Sequence, residues 1–309
     1  MEKIRFNLDV AKQCSLEAYK WGPSNNDFQS NAIVIIVHGM GEHVERYHDF
    51  ANHLVKSGFL VYGYNHRGHK GTIKSADDYG YIADSNIFSL LVSDLHDFYL
   101  YIKKENPSLP IFLFGHSMGS FVVQRFIQLY GLEIKGVILS GSAKQPQLLL
   151  SFGILIARCI KRFKGAKYRS KFLSNLTTGN FNKPFKPNRT QYDWINTLPE
   201  EVDKYDADEY CGGVFTTSFY YGFYKGLREI NKNYVLTPKD LPMFLISGEN
   251  DPVGGFTKLI KKLFSQYQKL QIADLNLKIY PNARHEIIHD SCKEDVYKDT
   301  LNWLKRHLP

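Results

Sequence analysis

No apolar run in the 309 residues reaches the ~20 that a bilayer-spanning helix needs, so a membrane-spanning chain is not expected. The opening MEKIRFNLDV mixes acids and bases where a secretory signal requires an uninterrupted apolar core, which points to a cytoplasmic protein. Cysteine is scarce: Cys14, Cys159, Cys211 and Cys292 stand far apart, with no CxxC or metal-like Cys/His spacing. That excludes a disulfide framework and a linear zinc motif, and free thiols in a reducing compartment are expected. Acidic residues are outnumbered, 31 Asp and Glu against 39 Lys and Arg, for a formal charge of +8. Such an excess suits nucleic acid or an anionic lipid surface, but charge reports on association rather than fold. No nucleic-acid motif accompanies it, so nucleic acid is not an expected partner. Internal repeats and low-complexity tracts are absent too.

What the chain does have is alternation. Short apolar and β-branched runs stand at 4–8, 16–21, 32–39, 59–65, 111–115, 136–142, 243–248 and 275–280. Between them helical spacing predicts helices at about 44–57, 86–105, 117–131 and 256–270, with another near 291–307. This order predicts an α/β fold with a mostly parallel sheet covered by helices on both faces, the first two strands forming an antiparallel edge. In such sheets chemistry collects at the carboxyl ends of the strands. From about 143 to 235 the rhythm fails. That stretch is basic at first, from Arg158 to Lys171, and aromatic later, with Phe215, Phe219, Tyr220 and Phe223. It reads as a mainly helical cap (143–235) inserted into a core made of 1–142 and 236–309. The apolar residues Leu148 to Ala157, followed by the basic run, have the character of an interfacial segment, so peripheral contact with an anionic membrane is a further expectation.

The run IFLF at 111–114 breaks at Gly115-His116-Ser117-Met118-Gly119 and resumes with helical spacing. G-x-S-x-G on a sharp strand-to-helix turn lifts a serine hydroxyl above the sheet, and the glycines remove side chains that would collide with neighbouring backbone. Ser117 is thus the candidate nucleophile. The N–H of Met118, at the start of the helix, faces the place where an oxyanion would form. Serine needs a base, and the base needs an orienting acid. After the strand MFLISG comes Glu249-Asn250-Asp251-Pro252, where Asp251 is the candidate acid and Glu249 its competitor. After LNLKIY comes His285, the candidate base, with His289 four residues on. The loop His38-Gly39-Met40-Gly41 can supply a second oxyanion donor, the N–H of Met40.

Taken together, HGMGEHVERYHDFANHLVKSGFLVYGYNHRGH at 38–69, FGHSMGS at 114–120, SGENDPVG at 247–254 and NARHE at 282–286 resemble the monoacylglycerol lipase and lysophospholipase group of α/β-hydrolases, relatives of the serine aminopeptidases. The resemblance extends through the cap, at 188–216. It implies Ser117 as nucleophile, His285 as base, Asp251 as its partner, and Met40 and Met118 as the oxyanion hole. No metal or organic cofactor is implied. The expected substrate is a small lipid-like ester such as a monoacylglycerol or lysophospholipid, with a short-chain esterase, an aminopeptidase or a catalytically silent binding protein as alternatives. One departure stands out. Where the group carries Asp-His-x-Gly-His-Gly, this chain has Asn65-His66-Arg67-Gly68-His69-Lys70-Gly71.

Overall fold

Strands rich in β-branched residues and apolar at every position can be stable only between two layers that bury both faces. The central strands here are of that kind. The computed structural model describes residues 2–10, 14–23 and 30–309. They form an eight-stranded sheet of β1 (Glu2–Val10), β2 (Cys14–Gly22), β3 (Ala32–Val37), β4 (Phe59–Tyr64), β5 (Ile111–His116), β6 (Gly136–Ser140), β7 (Met243–Gly248) and β8 (Leu275–Tyr280). The spatial order is β1-β2-β4-β3-β5-β6-β7-β8. β1 pairs with β2, and β2 with β4, antiparallel, and the pairings from β4–β3 through β7–β8 are parallel, as the polar alternation of the first two strands predicts.

Successive residues of each central strand feed opposite cores. Ile33, Ile35, Leu113 and Leu139 enter one cluster, with α2 (Ile87–Glu105), α3 (Met118–Tyr130) and α8 (Lys258–Lys269). Val34, Ile36, Phe112 and Phe114 enter the other, with α1 (His48–Lys56) and α9 (Lys293–Arg306). Each such side chain, fully removed from water, contributes about 1.5–3 kcal/mol, so the sheet that carries the site is rigid.

Between β6 and β7 the chain leaves the sheet and builds α4 (Gln147–Lys164), α5 (Lys171–Thr177), α6 (Pro199–Ala207) and α7 (Thr217–Asn233). α7 is the link back to the core: Phe219, Tyr220 and Leu227 are buried in the same cluster as the strands, and α4 lies along α7, where Gly153 meets the Tyr224 ring. No disulfide joins any of the four cysteines. Among the described residues no helix is long and apolar enough to cross a membrane.

Candidate active site

Ser117 follows β5 and caps α3 with φ +50° and ψ −120°, a left-handed conformation that costs a non-glycine residue energy and persists only when its surroundings impose it. The surroundings are backbone. A Cβ on Gly119 would collide with the carbonyl oxygens of Val37 and His38, and one on Gly115 would come within 2.9 Å of the Gly119 carbonyl. Only glycine lets α3 start this close to β3 and β5. The Ser117 N–H donates to the Ser140 carbonyl at 2.9 Å, tying the turn to the end of β6.

Asp251 and His285, from the turns after β7 and β8, come together. Asp251 Oδ1 lies 2.9 Å from His285 Nδ1, both residues are buried, and Asp251 also accepts from the Val253 N–H at 2.8 Å and the Ser247 hydroxyl at 3.3 Å. His285 Nε2 has no protein partner. Burial pulls the His285 imidazole down, but the Asp251 carboxylate, through its charge and hydrogen bond, more than offsets this and leaves the pKa above its ordinary value. The two competitors are elsewhere. Glu249 accepts from the Asn282 N–H at 3.0 Å on the surface, and burial drives the His289 pKa down to about 4 beside Arg46 and Glu286.

The loop after β3 holds Met40 between two anchored neighbours. Two buried imidazoles, His38 and His69, do the anchoring, and their neutral tautomers follow from the bonds they make. His38 donates from Nδ1 to the Gly39 carbonyl (2.8 Å) and accepts at Nε2 from the His66 N–H (3.0 Å). His69 donates from Nδ1 to the Arg67 carbonyl (3.0 Å) and accepts at Nε2 from the Gly41 N–H (3.3 Å). Burial keeps both imidazoles well below their ordinary pKa, which preserves the acceptor nitrogen each needs. The N–H groups of Met40 and Met118 have no hydrogen-bond partner among the described residues.

Sequence reasoning missed an ionic group behind this loop. The Gly39 N–H donates to Glu42 Oε1 at 2.5 Å, Tyr47 donates to the same oxygen at 2.9 Å, and Arg46 bridges Glu42 (3.2 Å) to Glu286 (2.6 and 2.7 Å). Burial pushes the Glu42 carboxyl up, whereas the bidentate Arg46 holds Glu286 down against its own burial. The Glu-x-x-x-Arg spacing at 42–46, one turn apart, was the available signal; nothing in the sequence tied it to Glu286. Arg67 is structural, buried against Asp94 at 2.6 and 2.7 Å. Asn65, the first residue of the departing loop, accepts from the Val44 N–H at 2.8 Å and donates to the buried Glu17 side chain at 2.7 Å. Lys70 pairs with Glu45 at 2.9 Å.

Ser117, His285, Met40 and Met118 all line one cavity of about 830 Å³. Its walls include Trp194, whose ring lies 5.2 Å from that of His285, and Phe215, Phe223 and Tyr224. Phe219 and Tyr220 do not line it. They are buried in the core cluster instead.

A strand-turn-helix serine at the centre of this sheet order, with an acid and a histidine from the next strand ends, defines an α/β-hydrolase. The family model described as "Serine aminopeptidase, S33" matches residues 29–292, and the chain belongs to that family. It is 27% identical over 293 residues to the monoacylglycerol lipase of Mycolicibacterium smegmatis, covering 93% of this chain and 92% of that protein. Among solved structures it resembles a thermostable carboxyl esterase from Bacillus coagulans in complex with glycerol, with TM-score 0.90, 23% identity and full coverage of both chains. It also resembles the monoglyceride lipase of Saccharomyces cerevisiae bound to a substrate analogue, with TM-score 0.76, 20% identity, and 99% and 95% coverage. At these identities the structural likenesses establish the fold.

Proposed function

We propose that the protein is a serine carboxylic-ester hydrolase that works through an acyl-enzyme at Ser117 and takes monoacylglycerol- or lysophospholipid-like esters. The observation that carries this reading is the buried Asp251–His285 pair, with Nε2 of the imidazole left unpartnered in the wall of the cavity that Ser117 also lines. Ser117 Oγ attacks the ester carbonyl carbon and its proton passes to His285 Nε2. The N–H groups of Met40 and Met118 receive the negative charge on the carbonyl oxygen. The imidazolium then protonates the departing alcohol. Water, deprotonated by His285, attacks the acyl-enzyme, releases the carboxylic acid and restores the serine. The strained turn at Ser117 and the anchored loop around Met40 keep these groups oriented before substrate arrives, so little reorganisation is needed during reaction.

Residues 143–235 act as the cap, the remainder as the core. The similarity to a monoacylglycerol lipase and the apolar cavity walls support a fatty acyl chain over an amino-acyl one. An aminopeptidase needs a carboxylate for the substrate's amino group, and the carboxylates that line this cavity, Glu42 and Glu286, are both bound to Arg46. A panel of glycerol esters of graded acyl length tests the reading. Each buried methylene contributes about 0.8 kcal/mol, so kcat/KM rises several-fold per two-carbon step until the cavity is filled. Acetate esters outpacing longer ones, or prolyl amides outpacing any ester, would remove the lipase reading.

The cap also supports peripheral contact with an anionic membrane, by a protein otherwise at home in the reducing cytoplasm. α4 buries Leu150, Gly153 and Ala157 and exposes Leu148, Leu149, Phe152, Leu155 and Phe163, with Arg158, Arg162 and Lys164 on the same helix. Leu149 and Phe152 are at once exposed and part of the cavity wall, so the apolar face borders the cavity's opening. Vesicles containing phosphatidylserine are expected to sediment the protein, and added salt to weaken binding. Leu148→Asp with Phe163→Asp should abolish it; binding indifferent to both salt and these changes removes α4 from the contact.

A further inference from the structure

A second cluster of chemically capable side chains lies behind the oxyanion loop, outside the cavity chemistry described above. His43, from the loop that carries Met40, meets Asp208 and Cys211, just beyond α6; one donor atom from each residue lies within 4.8 Å of the others. His43 is buried, with Nε2 2.9 Å from Asp208 Oδ2 and Nδ1 without any partner. We propose that His43, Asp208 and Cys211 form a binding site for a thiophilic divalent cation of the zinc class, which fastens the oxyanion loop to the cap.

The donor set fits that class. One imidazole, one carboxylate and one thiolate, with a water as fourth ligand, match the nitrogen, oxygen and sulfur preferences of Zn2+ or Cd2+, whereas Mg2+ and Ca2+ require oxygen. The charges balance, because thiolate and carboxylate together carry two negatives against a dication. Protons balance as well. The cation replaces the proton now shared between His43 and Asp208, which moves from Nε2 to the idle Nδ1, and the Cys211 thiol releases one proton to solvent. Neighbouring cations are already neutralised: Lys70 by Glu45, and Arg46 by Glu42 and Glu286. Asp208 is partly exposed and gives an entry path, and the unpartnered Nδ1 of His43 is there to take the displaced proton.

The site sits on a contact that the fold has already made. The Gly41 carbonyl, two residues before His43, accepts from the N–H of Gly212, the residue after Cys211, at 2.8 Å and from the Tyr205 hydroxyl of α6 at 2.7 Å. A cation would add a coordinate bond in parallel with these, joining residues 165 positions apart in the chain. That separation is why inspection of linear Cys/His spacing found no metal motif.

Cadmium titrated into the intact protein is expected to give an ultraviolet thiolate-to-metal absorption that saturates at one equivalent, is displaced by zinc, and accompanies a rise in thermal midpoint. Cys211→Ser should remove the band, and Asp208→Asn and His43→Asn should each weaken zinc binding at least tenfold. Replacing Cys14, Cys159 or Cys292 one at a time should leave the band intact. A band that survives Cys211→Ser, or that depends on Cys211 but not on His43 and Asp208, overturns the proposal. Circular dichroism of each variant separates lost binding from lost fold; and because these readouts need no turnover, they stand whether or not the esterase reading does.

Discussion

Ser117→Ala is expected to lower kcat on a monoacylglycerol by about six powers of ten, the scale on which removing a triad nucleophile acts, and to abolish labelling by a fluorophosphonate. The fold should not notice. The left-handed backbone at Ser117 is imposed by the close approach of α3 to β3 and β5, and alanine meets the same backbone cost as serine there. The turn is held by the Ser117 N–H to the Ser140 carbonyl, a bond the substitution retains. Any loss of activity therefore reports the hydroxyl and not the turn. Intact-protein mass spectrometry decides the matter: an adduct that persists in Ser117→Ala places the nucleophile on another residue.

Why Ser117 was legible from sequence while much around it was not has a physical origin. A buried parallel strand must be apolar on both faces, and a helix packed on it must be apolar every three to four residues, so IFLF followed by helical spacing announces the turn between them. The strand-end rule then leads to Asp251 and His285, which the fold joins at 2.9 Å. Periodicity reports which face of an element is buried; it does not report what a polar residue meets across the chain. Arg46 was visible only as a charge on a helix, although it holds Glu286, 240 residues away, in a buried bidentate pair. His38 and His69 looked alike in sequence, yet one is fixed by the His66 backbone and the other by Gly41. The aromatics of α7 are a related case: spacing sets them on a helix, but which of its faces meets the core and which the cavity depends on how α4 and α3 close around it.

The acid can be separated from its competitor by one pair of substitutions. Asp251→Asn is expected to lower kcat by about three to four powers of ten. An amide in place of the carboxylate can donate to Nδ1, which moves the imidazole proton to Nε2 and deprives Ser117 of its base. The same change alters the pH profile in a defined direction. In the native protein the Asp251 charge overcomes burial and raises the His285 pKa, so kcat/KM, which needs the neutral imidazole, is lost as pH falls through a midpoint above the ordinary imidazole value. Without that charge burial is opposed only by the weaker pull of Glu286 and Glu42, the imidazole pKa drops, and the acid limb of the residual activity moves to lower pH. Glu249→Gln should change neither quantity, because Glu249 faces solvent and its carboxylate is occupied by the Asn282 N–H at 3.0 Å. A large loss in Glu249→Gln with a small one in Asp251→Asn would transfer the role. A loss in Asp251→Asn without movement of the acid limb would mean that Asp251 supports the turn after β7, through Val253 and Ser247, and does not act through His285.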